Sequence, residues 1–156
     1  MATLRLVPMT GEQYDRYRQQ AEVRYARNIA DSGDMPLPEA REKSRRDHER
    51  LLPDGLDTPG HQLWTAYDGD ADVGMLWLHV EPKSDGPHAF VYDFEVRQDV
   101  RRQGHGRAII EAVEEWCRER GVVSIGLSVF GFNLAARRLY EQVGFETTAI
   151  RMRKYL

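Results

Sequence analysis

The apolar positions of this chain recur with two different periods. From Thr3 to Val7, TLRLV, polar and apolar residues alternate, which predicts a short strand punctuated by Pro8 to Gly11. Tyr14, Tyr17, Ala21, Tyr25 and Ile29 then stand three and four apart, the spacing of one helix face, and Ser32-Gly33-Asp34 ends that pattern. A second helix is expected from near Pro38, because proline suits a first helical turn, to Leu51-Leu52. Charge covers most of its faces and reads as solvated surface.

The stretch LLPDGLDTPGH is a loop by its Pro, Gly and Asp content. Alternating segments follow in hairpin order: His61 to Tyr67, a turn at Asp68-Gly69-Asp70, Val73 to Val80, a longer turn PKSDGPH, then Ala89 to Val96. Alternation along the last of these puts Phe90, Tyr92, Phe94 and Val96 on one face, with Val91, Asp93 and Glu95 on the other. After Val96 the pattern changes. A glycine loop leads into a helix that runs to about Arg120 and stops at Gly121. A strand from Val122 to Val129, a helix from Asn133 to Val143 with Asn133 as its N-cap, and a last strand from Glu146 to Leu156 complete the chain. Strand, helix, strand is a βαβ unit and asks for a parallel pair. The expected fold is mixed α/β: one mixed, mostly antiparallel sheet with a parallel βαβ pair and helices on both faces. No linker divides residues 1–156, so one domain is expected.

Composition narrows the class. The 156 residues are 41% hydrophobic and 30% charged, with a formal net charge of -3. That describes a globular domain and gives no reason to expect nucleic acid or an anionic membrane as partner. No apolar run approaches the ~20 residues of a membrane span, and the start MATLRLVPMT lacks a signal-peptide core. The single cysteine, Cys117, has no partner for a disulfide or for a Cys-rich zinc site. It reads as a small buried apolar residue, and the compartment as cytoplasmic.

The chemistry concentrates in VRRQGHGRAII, Val100 to Ile110. A helix N-terminus offers amide N–H groups without partners and partial positive charge, so it binds phosphate. Gly104 and Gly106 let backbone approach a ligand without a Cβ in the way. Arg101, Arg102 and Arg107 add full charge. Ile109 stands where a third glycine of GxGxxG would be, and GxxxxGK[ST] is absent, so neither a dinucleotide fold nor an NTP-binding loop fits.

Arg101-Arg102-Gln103-Gly104-His105-Gly106 resembles the [RQ]xxGx[GA] acetyl-CoA loop of the GNAT N-acetyltransferases. NLAARRLYEQVGF, Asn133 to Phe145, resembles that family's second signature, NxxAxxLYxxxGF. The resemblance implies an acetyl-CoA-dependent N-acetyltransferase that uses no metal. It places Phe94 to Val96 along the pantetheine arm and the amides of Arg101, Arg102, Gln103, Gly104, His105, Gly106 and Arg107 on the pyrophosphate. It puts Asn133 near the pantetheine, Ala136 and Arg137 beside the adenosine end, and Tyr140 by the thioester sulfur.

That reaction needs a neutral amine, a donor for the oxyanion and a proton for the leaving thiolate. The N–H of Val96 suits the oxyanion, and Tyr140 suits the thiolate. Glu95 is the first candidate for the general base and Asp93 the second, against a plain reading of both as salt-bridge partners. Ser128, Val129 and Phe130 supply no carboxylate before Asn133, a departure from relatives that act on peptide N-termini. The acceptor is expected to be an amine of a small molecule or a protein, with Tyr25, Asp31, Asp34, Trp64, Trp77 and Tyr92 as candidate lining. The family's habit of dimerising through a C-terminal strand makes RMRKYL a candidate contact between two copies. The rival readings are a non-catalytic acyl-CoA sensor and an interaction module that binds no CoA.

Overall fold

The computed structural model describes residues 4–156, and Thr3 of the first expected strand lies outside them. The elements run β1 (Leu4–Pro8), α1 (Gly11–Asp31), α2 (Leu37–Leu51), β2 (His61–Asp68), β3 (Ala71–Lys83), β4 (Gly86–Val96), α3 (His105–Glu119), β5 (Ser124–Leu127) and α4 (Leu134–Gln142). The sheet order is β1-β2-β3-β4-β5. Successive strands are antiparallel except β4 and β5, which are parallel around α3, as a βαβ unit requires. None of the described helices is long and apolar enough to cross a membrane.

Local chemistry sets the helix starts. Thr10 caps α1 by accepting from the Gln13 amide at 3.2 Å, and the Gln13 side chain accepts from the Thr10 amide at 2.9 Å. Pro38 sits in the first turn of α2. The two faces of the sheet bury separate clusters. Trp64, Leu76, Leu78, Ile109, Val113 and Cys117 pack on the α3 side, and Tyr17, Ala21, Leu63, Met75 and Trp77 on the α1 side. A fully buried side chain such as Met75, Leu76 or Leu78 stabilises by roughly 1.5–3 kcal/mol.

One irregularity in β4 changes which residues face which layer. Trp77 opposes Asp93 and Leu78 opposes Val91, so Tyr92 is an extra residue, a β-bulge. The strict alternation expected from the sequence breaks there. Phe94 and Val96 join Val91 and Ala89 against the α3 cluster. Asp93 turns to α1, where it meets Tyr17 and Arg24, and Glu95 turns with it.

The chain after α4 also departs from the expectation. Glu146 to Leu156 forms no strand. Alternation makes a segment strand-capable, but a strand also needs a neighbour for its backbone groups. Among the described residues β5 pairs only with β4. The tail instead lies exposed, with Arg153 ion-paired to Asp34 and the Tyr155 hydroxyl 3.5 Å from the Gly33 carbonyl. The strand β5 is shorter than expected as well. Beyond Leu127 the chain leaves the sheet, and Phe130 packs against Ala26, Ile29 and Ala40.

Candidate active site

Strands β4 and β5 pair only from His88 opposite Ser124 to Val91 opposite Leu127. Past that point β4 runs on to Val96 without a neighbour on that side, and a gap opens between the strands. Some of the backbone facing it is satisfied locally: Phe94 N–H donates to its neighbour Asp93 at 2.9 Å, and Arg101 Nε donates to the Val96 carbonyl at 3.1 Å.

The glycine loop closes the gap at one end. Arg102 at φ 64 and Gly104 at φ 84 turn the chain sharply into α3, whose first helical bond runs from Ala108 N–H to the Gly104 carbonyl at 3.1 Å. None of the amides from Arg101 to Arg107 finds an acceptor among the described residues. A run of unmatched N–H groups at the positive end of a helix is a cradle for an anion of pyrophosphate size. Gly106 has a second reason to be glycine. A Cβ there would sit 3.0 Å from Leu139 Cδ2 and 3.5 Å from Val96, so its absence lets α4 pack on the first turn of α3. Arg101 and Arg102 are exposed at the loop, while Arg107 pairs with Glu111 at 3.1 Å.

His105 turns its side chain away from the cradle. One ring nitrogen lies 3.1 Å from Asp68 at the end of β2, the other 3.3 Å from the Val100 carbonyl. The imidazole ties the loop to the sheet, and of His105 only the backbone amide is left without an acceptor among the described residues.

Tyr140 enters from α4. Its ring centroid is 6.4 Å from Phe94 and 5.6 Å from Phe145, and with Leu76, Val91 and Ile110 these side chains line a small apolar cavity. Its hydroxyl has no hydrogen-bond partner among the described residues. Burial, with a further contribution from the Asp93 carboxylate, pushes the phenol up to about 12, so it carries its proton at neutral pH. Asn133 caps α4 by accepting from the Ala136 amide at 3.2 Å, which leaves its side-chain NH2 free. Arg137, one residue on, lies 3.6 Å from Glu141.

Asp93 and Glu95 share one cation. Arg24 Nη1 meets Glu95 at 2.7 Å, and Arg24 Nη2 pairs with Asp93. Tyr17 Oη donates to Asp93 at 2.6 Å. Burial works against charge on the guanidinium, but the two carboxylates outweigh it and raise its pKa. Burial and the Asp93 charge likewise raise the Tyr17 phenol well above its ordinary range. Sequence reasoning placed neither Tyr17 nor Arg24 in the site. The available signal was a cation on the apolar stripe of α1, since Arg24 stands one heptad after Tyr17 and so on the same helix face.

The candidate acceptor residues separate. Trp64 packs on the α3 side against Trp116 at 5.0 Å and cannot line a site on the α1 side. Trp77 and Tyr92 lie together there, 4.9 Å apart. Tyr25 is 6.0 Å from the buried His48. Asp34 is taken by the tail arginines Arg151 and Arg153, and Asp31 is exposed at the end of α1. Cys117 is buried, and that burial pushes its thiol up to about 11, away from nucleophilic character.

Comparison with known proteins bears on this arrangement. Residues 26–145 match the family model for the Acetyltransferase (GNAT) family. YycN, an uncharacterized N-acetyltransferase of Bacillus subtilis (strain 168), is 36% identical over 155 residues, covering 99% of both chains. A second uncharacterized N-acetyltransferase of that organism, YdgE, is 32% identical over 97% of both chains. The [ribosomal protein bS18]-alanine N-acetyltransferase of Escherichia coli (strain K12) is 39% identical over 67 residues, 43% of this chain and 45% of that one. The crystal structure of YycN superposes with a TM-score of 0.95 over 99% of both chains at 35% identity.

Proposed function

Because the chain belongs to the GNAT acetyltransferase family, we propose that it transfers an acetyl group from acetyl-CoA to an amine of a small molecule or a protein, by direct attack in a ternary complex. One observation carries the reading: the unmatched amides of Arg101 to Arg107 open onto the same gap that bares Phe94 to Val96 and receives Tyr140. Acetyl-CoA would supply the thioester whose carbonyl the amine attacks. The loop amides would hold its pyrophosphate, with Arg101 and Arg102 adding charge. Phe94 and Val96 would bind the pantetheine arm, and Asn133, Ala136 and Arg137 would flank the cofactor along α4. The Val96 N–H would face the developing oxyanion. Tyr140, protonated at neutral pH, would donate to the leaving thiolate.

Glu95 and Asp93 would draw the proton from the incoming ammonium. Both are ion-paired with Arg24, so a carboxylate acting as base must first give up that contact. The exposed tail and the unpaired outer edge of β5 support a homodimer in which each copy lends a strand to the other.

A thermal melt with acetyl-CoA, CoA and NAD tests the binding step. Ligand at ~100 times its dissociation constant stabilises by about 2.7 kcal/mol, a midpoint shift of several degrees. A shift with acetyl-CoA and CoA but not NAD is expected, followed by acetyl transfer across an amine panel. No shift with any of them overturns the reading, and a shift without transfer would make the protein an acyl-CoA sensor.

A further inference from the structure

The face of the sheet that carries Asp93 continues as a floor of aromatic rings. His61 and His79 stack with centroids 4.2 Å apart. Tyr92 lies 6.0 Å from His61, 6.2 Å from His79 and 4.9 Å from Phe90. Trp77 is buried beneath them at 3% exposure, while Tyr92 is 38% exposed. The indole N–H of Trp77 donates to His61 Nδ1 at 2.9 Å, which leaves the ring proton of neutral His61 on Nε2. Burial and the neighbouring His79 push His61 down to about 4, so that ring is neutral at pH 7.

The floor has unused hydrogen-bonding capacity. Among the described residues no partner reaches His61 Nε2, either ring nitrogen of His79, or the Tyr92 hydroxyl. Over His79, Phe90 and Tyr92 opens a cleft of about 390 Å³, with Glu81 and Lys83 at its outer end. At its inner end the next residue of β4 is Asp93, and Glu95 follows on the same face. The ring faces, with the unpartnered acceptor atoms of His79 and the Tyr92 hydroxyl, suit a cation that can also donate hydrogen bonds. An ammonium does both; Glu81 and Lys83 balance at the outer end, while Asp93 and Glu95 set two carboxylates against the one Arg24 and leave net negative charge toward the inner end.

We propose that the His61–His79–Tyr92 floor seats a second cationic group of the acceptor, so that the molecule acetylated is a diamine or polyamine whose reacting nitrogen lies toward Asp93. This rests on the amine-acceptor reading above, and it adds what lies beside the amine.

The test uses the full chain with ¹⁵N-labelled histidine, followed by NMR during titration with spermidine and, separately, with butylamine, which has a single charge. Spermidine is expected to shift the ring resonances of His61 and His79 saturably, with a midpoint about tenfold below that of butylamine. Tyr92→Leu keeps apolar bulk but removes the ring and hydroxyl. It is expected to erase that advantage. Equal midpoints for the two amines, or a Tyr92→Leu protein that behaves as wild type, overturn the proposal. A melt with acetyl-CoA on the same samples reports the cofactor reading separately. Acetyl-CoA binding without a spermidine preference removes this proposal alone, whereas a spermidine preference without acetyl-CoA binding removes the cofactor reading and leaves a polyamine site with no acetyl transfer.

Discussion

Burial decides what Tyr140 can do. A phenol near 12 in the folded chain, against a reference near 10, favours folding wherever it keeps its proton. The folded value is the higher one, so this contribution is complete below pH 10 and is lost as pH rises through 12. It amounts to at most about 3 kcal/mol. Urea titrations at pH 9 and pH 11.5 should show wild type losing more stability over that interval than Tyr140→Phe, because Tyr17 and Cys117 act equally in both proteins. The same variant should slow acetyl transfer by about 10²–10⁴-fold and leave acetyl-CoA binding nearly intact. Arg24 makes a different case. Arg24→Met leaves Asp93 and Glu95 side by side without their cation, at a cost of about 2 kcal/mol, between that of exposed and buried pairs. Urea titrations of the two proteins at neutral pH check it. Tyr140 was legible in the sequence because its motif fixes its neighbours by spacing. Arg24 was not, because its meaning comes from carboxylates on a strand far away in sequence.

Among the elements, the glycine loop shows two separate uses of glycine. Gly104 is held at φ 84 with open space around it, so Gly104→Ala should cost about 1 kcal/mol of stability through backbone strain alone. Gly106 has a favourable backbone but no room. Gly106→Val should push Leu139 and α4 away from α3, and the midpoint shift with acetyl-CoA should disappear. Comparing melts of both variants with and without acetyl-CoA separates strain from crowding. The meander, the βαβ unit and the N-cap at Asn133 follow from local pattern, which is why sequence reading located most of the elements to within a few residues. The end of β5 and the course of the tail depend on which backbone lies alongside, and alternation in TTAIRMR carries no information about that.

At the scale of the whole molecule, the outer edge of β5 and the strand-capable tail both lack a backbone partner among the described residues. Ile150 is 73% exposed and Met152 89%, an apolar pair on one side of a strand-capable segment. Sedimentation should give a species of twice the chain mass, and Ile150→Lys combined with Met152→Lys should return it to the monomer without unfolding it. A monomeric wild-type protein would overturn the exchange. The bulge at Tyr92 has a wider consequence. It works as a parity bit for the strand: counted from Gly86, every side chain after position 92 has changed sides. Replacing Tyr92 alters one position, whereas straightening the strand with all its residues kept would turn Asp93 and Glu95 toward α3 and swing Phe94 and Val96 into the place of the charges. Losing the bulge therefore disturbs the facing of four side chains, Asp93 to Val96, whereas changing the residue that fills it disturbs one.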